Sequence, residues 1–215
     1  MNTYIREPIN GLTHLFGAMI SVVGLFLLIM KTSAMSSSSV ERFAVIVFGV
    51  SMILLYSASA IYHMIMANER IIKTFRRIDH AMIFVLIAGT YTPISLIGLS
   101  GTKGWILFTI IHSLALLGVL YKLIWFDAPR WLSTAIYIIM GWLIIFYSGS
   151  LAPMIGTKGM LLLVLGGVIY TIGGLIYWFK PKWLEFQYMG YHEIFHLFIM
   201  GGSFLHFLCI YNYVV

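Results

Sequence analysis

A bundle of seven transmembrane α-helices, all-α and polytopic, is the fold this 215-residue sequence predicts, and three observations predict it. Hydrophobic residues make up 61% of the chain and charged residues only 9%, with a mean hydropathy of +0.97. A soluble domain cannot hide that much apolar surface, whereas a bilayer accepts it around the whole outside of each helix. The apolar residues also fall into seven runs of about 20, enough to cross a hydrocarbon core of about 30 Å at about 1.5 Å per residue. Finally, every break between runs is short, so a single domain over 1–215 is expected.

The first run covers 12–30. Thr32-Ser33-Ala34 loosely resembles a signal-peptide cleavage site, but the run exceeds a signal core and Lys31 follows it directly, so it is read as a permanent span. Four serines at 36–39 separate it from the second span, 43–66, and a charge cluster at 69–77 precedes the third, 78–99. Turns at 101–104, 127–130, 156–159 and 180–185 then introduce spans 105–126, 132–151, 160–179 and 192–214. A weak internal echo accompanies them. Gly-Thr-Lys-Gly occurs at 101–104 and again at 156–159, and Pro-Arg-Trp-Leu at 129–132 is echoed by Pro-Lys-Trp-Leu at 181–184. Interfacial Trp and basic residues with turn-forming Gly produce such an echo by convergence too, and no function depends on it.

The formal net charge is +6 and the isoelectric point near 9.4. No basic face with stacking aromatics accompanies that charge, so no nucleic-acid partner is expected. The basic residues set orientation instead. With alternating spans, Arg6, Arg70, Lys73, Arg76, Arg77, Lys122, Arg130, Lys180 and Lys182 share the side of the N-terminus. Only Lys31, Arg42, Lys103 and Lys158 lie opposite. That asymmetry predicts a cytoplasmic N-terminus and an outside C-terminus in the cell membrane. The single Cys209 sits in an apolar run and permits no internal disulfide, as a small core residue would.

In this topology several polar residues meet at the cytoplasmic edge. His63 ends span two, Asp79 opens span three, and His192 and His196 open span seven. Glu7, Asn10 and His14 open span one on the same side. Ionisable groups at membrane depth are costly and tend to mark function. His192 and His196 are four apart, on one face of a helix, and His63 can complete a three-histidine set. Three neutral nitrogens leave the double charge of Zn2+ intact and a fourth position open, where bound water reaches a pKa of about 7. Asp79 is placed to hold or deprotonate that water, and Ser59, one turn before His63, to donate a hydrogen bond. A lone membrane histidine is more often an interhelical hydrogen-bond partner, the reading kept for His112 and His206. His80 points about 100° away from Asp79 around the helix and is expected to be a solvated interfacial residue.

His192-Glu193-Ile194-Phe195-His196 is also a literal H-E-x-x-H string, in which a zinc protease uses the glutamate as general base. No Asp or Glu follows Glu193, so a protease-like site would also need His63 as its third ligand.

Glu7-x2-Asn10-x3-His14, Ser59-x3-His63 followed by Asp79, and His192-x3-His196 together resemble the three signature motifs of the progestin and adipoQ receptor family. Ala-Gly-Thr-Tyr-Thr-Pro-Ile at 88–94 and the H-E-I-F-H string are similar to its bacterial branch, the haemolysin III proteins. The resemblance spans nearly the whole chain. It implies seven helices with a cytoplasmic N-terminus, zinc held by His63, His192 and His196, and Asp79 acting through a water. Adiponectin receptors, similar in fold, have ceramidase activity, and alkaline ceramidases belong to the same proposed hydrolase superfamily. The long N-terminal domain of those receptors has no counterpart here, so hormone reception is not expected. The expectation is a zinc-dependent hydrolase of a lipid amide or ester, with a membrane lipid as substrate or ligand. The alternatives are a membrane-homeostasis regulator with structural zinc, an intramembrane metalloprotease, or a cytolysin or channel, which would need a polar path through the bilayer.

Overall fold

The computed structural model describes residues 5–35, 37–125, 128–187 and 189–215. Its regular structure is helical throughout, with no strand among the described residues. Helix α1 spans Pro8–Ala34, α2 Ser39–Met64 and α3 Glu69–Pro93, and α3 continues as a π-helical segment, Ile94–Leu99. Then come α4, Gly101–Ile124, and α5, Arg130–Trp142, which passes through a 3-10 segment, Leu143–Tyr147, into α6, Ser148–Phe179. A 3-10 turn, Lys182–Leu184, leads to α7, Tyr191–Cys209, and its π-helical end, Ile210–Val214.

Six of these continuous stretches, among the described residues, are long and apolar enough to cross a membrane. The fifth, Arg130–Phe179, has 50 residues, about 75 Å of helix and more than twice a hydrocarbon core. It is broken at Gly156, whose φ of 67° and ψ of 175° are open to glycine alone at low cost. Gly101, the other half of the sequence echo, also has a positive φ, 55°, at the start of α4.

The helices start earlier than expected. The charge cluster at 69–77 is helical rather than a loop, because the Asn68 side chain accepts a hydrogen bond from the Ile71 N–H at 3.1 Å and caps α3 there. Only the start of each expected glycine turn, 101–104 and 156–159, is non-helical. Ser38 and Glu41 form a reciprocal capping box that opens α2. The ends of the expected span 105–126 and turn 127–130, at Phe126 and Asp127, lie outside the described residues.

Leu28, Phe48, Leu151 and Ile210 are fully buried in one core that joins α1, α2 and α6 to the end of α7. Phe84, Leu107 and Ile111 anchor a second core between α3 and α4, with Met140 of α5. Large apolar side chains such as Phe16, Phe26, Leu116 and Phe146 are exposed, as lipid-facing residues are. Between helices, small residues allow close approach. A Cβ built on Gly89 of α3 would lie 2.0 Å from Ser51 Oγ and 2.4 Å from Ser51 Cβ of α2. Replacing Gly89 with Val should therefore cost about 1–3 kcal/mol of stability through overpacking. A Cβ on Gly149 would meet nothing within 4 Å, so Gly149→Ala is the matched control. Thermal unfolding in detergent should show a lowered midpoint for the first variant and not for the second.

Candidate metal centre

The end of α2, the start of α3 and the start of α7 come together at one end of the bundle, with residues 6–14 laid across them. The Glu7 N–H donates to the His63 carbonyl at 3.0 Å, and Arg6 donates to the Tyr62 carbonyl at 2.7 Å. These bonds clamp the entry of α1 to the last turn of α2.

His63 and His196 are fully buried and His192 is half-buried. Each offers one ring nitrogen, and the three nitrogens all lie within 4.8 Å of one another. Nε2 of His63, Nε2 of His192 and Nδ1 of His196 are buried with no hydrogen-bond partner. Buried polar nitrogens without partners are rare, and one on each of three clustered histidines fits a shared cation. A tetrahedral zinc with Zn–N bonds of about 2.0–2.1 Å needs its ligand nitrogens about 3.3 Å apart, a small inward movement of the rings.

The Nδ1–H of His63 donates to Glu7 Oε2 at 2.5 Å, since a carboxylate is the acceptor. That bond selects the tautomer whose free lone pair is on Nε2, the arrangement of a carboxylate orienting a metal-ligating imidazole. The same bond from His63, ahead of the nearby Arg6 charge, holds the Glu7 carboxyl below its ordinary range. His14 stacks on His196 with ring centres 3.6 Å apart and planes 12° apart, fixing the latter's plane. Tyr56 meets His14 edge-on at 5.1 Å.

Asp79 is buried at the same end, on the α3 wall. It is not among the groups within 4.8 Å of one another. Ser59 Oγ, buried and without a partner, lies beside the Asp79 carboxylate. Both residues, with His14, His192 and His196, line a cavity of about 360 Å³ between α3, α5, α6 and α7. Its far end reaches Tyr91, Trp142 and His206 among mostly aliphatic and aromatic walls.

Glu193 is occupied elsewhere. Its Oε1 accepts from Asn10 Nδ2 at 2.7 Å and its Oε2 from the Gly190 N–H at 2.8 Å. The glutamate of the H-E-x-x-H string thus caps its own helix and ties α7 to α1. His112 bonds Thr92 across α3 and α4 at 3.3 Å, and His206 bonds the Leu163 carbonyl of α6 at 3.1 Å, as interhelical partners do. His80 departs from expectation. It is half-buried, packs against Tyr177 with ring centres 6.4 Å apart, and lines the cavity instead of facing water. The sequence reasoning missed two arrangements, the Glu7–His63 bond and the Asn10–Glu193 bond. Glu7, Asn10 and His14 follow the three-and-four spacing of one helical face, and that signal pointed to both.

An apolar helical bundle with a buried histidine cluster beside a cavity defines the class: a multi-span membrane protein with a candidate intramembrane metal site. The family described as "Haemolysin-III related" matches residues 2–207 of this chain. Hemolysin-3 of Bacillus cereus is 40% identical over 216 residues, covering 100% of this chain and 95% of that protein. The Hemolysin-3 homolog of Bacillus subtilis (strain 168) is 38% identical, covering 100% and 97%. The chain belongs to the haemolysin-III-related family.

If Glu7 orients His63, Glu7→Gln should weaken binding of a divalent ion about 10–100-fold, because the neutral amide is a poorer acceptor. Competition titration of purified protein against a zinc chelator would measure it. Equal affinity in both proteins would remove Glu7 from the site.

Proposed function

We propose that the protein is a zinc-dependent hydrolase of a lipid amide or ester, working at the cytoplasmic rim of the cell membrane. The observation that carries this reading is the convergence of three histidines, each with a buried unpartnered ring nitrogen, beside a largely apolar cavity that His192 and His196 line. Zinc held there by His63, His192 and His196 would supply a Lewis acid, able to activate water at neutral pH.

The chain's own residues do the rest. Asp79 accepts the proton of the water that attacks the lipid carbonyl, and returns it to the departing nitrogen or oxygen. Ser59 lies beside that carboxylate, placed to donate a hydrogen bond to it. The cavity keeps the acyl chain among Ile83, Ile87, Ile138 and Ile199, with the scissile carbonyl toward the histidines. Glu193, with both oxygens committed to Asn10 and Gly190, is a poor general base, which favours Asp79 over a protease-like use of the string. The relatives are called Hemolysin-3. A lytic pore would require a polar path, and the cavity walls away from the histidine end are mainly apolar.

The reading includes seven crossings. The Arg130–Phe179 stretch crosses twice, turning at Gly156, which puts the basic-rich histidine end inside and the C-terminus outside. A reporter that is active only outside the cytoplasm should be active when fused after Val215. A cytoplasmic C-terminus would move the site to the other leaflet and overturn the placement.

Asp79→Asn should retain zinc at near wild-type stoichiometry while turnover falls about 10²–10⁴-fold. The double variant His192→Ala, His196→Ala should lose zinc altogether. Metal analysis, paired with mass spectrometry of ceramide and ester lipids incubated with the protein in bilayers, reads both. Turnover that survives Asp79→Asn but not Glu193→Gln would favour the protease-like chemistry. Full zinc with no turnover of any lipid by wild type would leave zinc a structural part of a regulator.

A further inference from the structure

The cavity wall carries more charge than the hydrolytic reading uses. Lys122, near the end of α4, is 3% exposed, yet it lines the cavity. Its Nζ donates to Ser133 Oγ of α5, and no carboxylate pairs with it among the described residues. Arg130, at the start of α5, lies over the Tyr177 ring with its guanidinium carbon 5.3 Å from the ring centre, and its Nη1 is buried without a hydrogen-bond partner. Arg76 of α3 lines the same wall within Coulombic reach of Lys122. Against Lys122 and Arg130 the described lining residues hold one carboxylate, Asp79.

A buried ammonium that cannot snorkel to water is expensive unless a counter-charge meets it. Lys31 shows the ordinary solution at the opposite end of the bundle, where it is partly exposed and caps the Tyr211 carbonyl. Among the described residues Lys122 has the Ser133 hydroxyl and the face of the Tyr121 ring, 5.3 Å from its Nζ, and an ammonium has three donors to place. A guanidinium and an ammonium on neighbouring helix ends, facing one cavity, form the donor set that recognises a phosphate or carboxylate group.

We propose that Lys122 and Arg130, with Arg76 beside them, form a subsite for the anionic headgroup of a single-chain lipid whose tail occupies the apolar part of the cavity. The cavity of about 360 Å³ lies at the small end of ligand pockets, which run from about 300 to 1,000 Å³, and that suits one chain better than two. The inference rests on the reading of this cavity as a lipid site, and not on hydrolysis. The substrate or ligand class then narrows to amphiphiles carrying a phosphate or carboxylate next to the labile bond.

The test is equilibrium binding to full-length, zinc-loaded Asp79→Asn protein in a neutral detergent, so that no turnover is required. The probes are 1-oleoyl lysophosphatidate, the uncharged 1-oleoyl glycerol with the same chain, and inorganic phosphate. Lysophosphatidate should bind at least about tenfold more tightly than oleoyl glycerol, as charge-assisted hydrogen bonds require. Lys122→Gln and Arg130→Gln, each added to that background, should erase most of the preference while zinc content and oleoyl glycerol affinity persist. Lys122→Arg should retain the preference, which guards against a result due only to misfolding. Equal affinity for the two lipids overturns the proposal, as does a preference untouched by both Gln variants. Tight binding of inorganic phosphate with no preference between the lipids assigns the cations to a free anion and overturns the headgroup assignment. Loss of turnover in separate assays of the wild type would refute hydrolysis and leave this binding result standing.

Discussion

The structure turns on the hydrogen bond between Glu7 and His63. In an apolar bundle a buried imidazole must be given a defined tautomer, because both ring nitrogens compete for scarce partners. Glu7 takes the Nδ1–H and leaves Nε2 free, while His63, His192 and His196 each offer a ring nitrogen within 4.8 Å of the others. The bond also needs the entry of α1 to lie across the end of α2, which the Glu7 N–H to His63 carbonyl bond secures. Docking of the N-terminal segment and the geometry of the histidine cluster are therefore one arrangement.

A second polar layer stiffens the helices that carry the cluster. Ser203 of α7 is hydrogen-bonded to the hydroxyls of Tyr56 from α2 and Tyr170 from α6, both at 2.6 Å. Tyr56 then meets His14 edge-on, and His14 stacks on His196. Every member is buried or half-buried, so the connection ties α1, α2, α6 and α7 where water cannot compete. On the metal-site reading, a histidine held by such a frame would lose little further freedom on binding an ion.

Much of this was legible in the sequence, for reasons that can be named. Long apolar runs announced the helices, because a spanning segment must be apolar all round. His192 and His196 announced a shared face because a helix returns after about four residues. Helix starts were less legible. The charges at 69–77 look like a loop to a hydropathy reading, but Asn68 caps a helix that extends beyond the apolar stretch. Pro93 followed by π-helix was invisible, since the sequence shows a proline but not how the freed carbonyls are served. The Thr90 and Thr92 hydroxyls bond the Leu86 and Ala88 carbonyls one turn back, whereas the carbonyl that Pro93 deprives of an N–H is that of Gly89. His80 was misplaced because its rotation away from Asp79 says nothing of what the neighbouring helix presents, and that neighbour is Tyr177. The Lys122–Ser133 contact joins two helix ends across a turn and had no periodic signal at all.

The separation of Asp79 from the histidine nitrogens bears on what the site can do. A carboxylate bound directly as a fourth ligand would close the coordination sphere, as in structural zinc sites. Here the three nitrogens cluster without it, while Asp79 and the unpartnered Ser59 hydroxyl face the same cavity. On the hydrolytic reading, that gap is where water and the substrate carbonyl must both fit. The cations of the wall then matter for the reaction as well as for recognition. Hydrolysis of an amide or ester builds negative charge on the carbonyl oxygen and leaves a carboxylate. A wall bearing Lys122 and Arg130 would favour both if the carbonyl sits near it, because low-dielectric surroundings strengthen such interactions. The same attraction would retain the product, so release rather than chemistry becomes the step most sensitive to removing a positive charge.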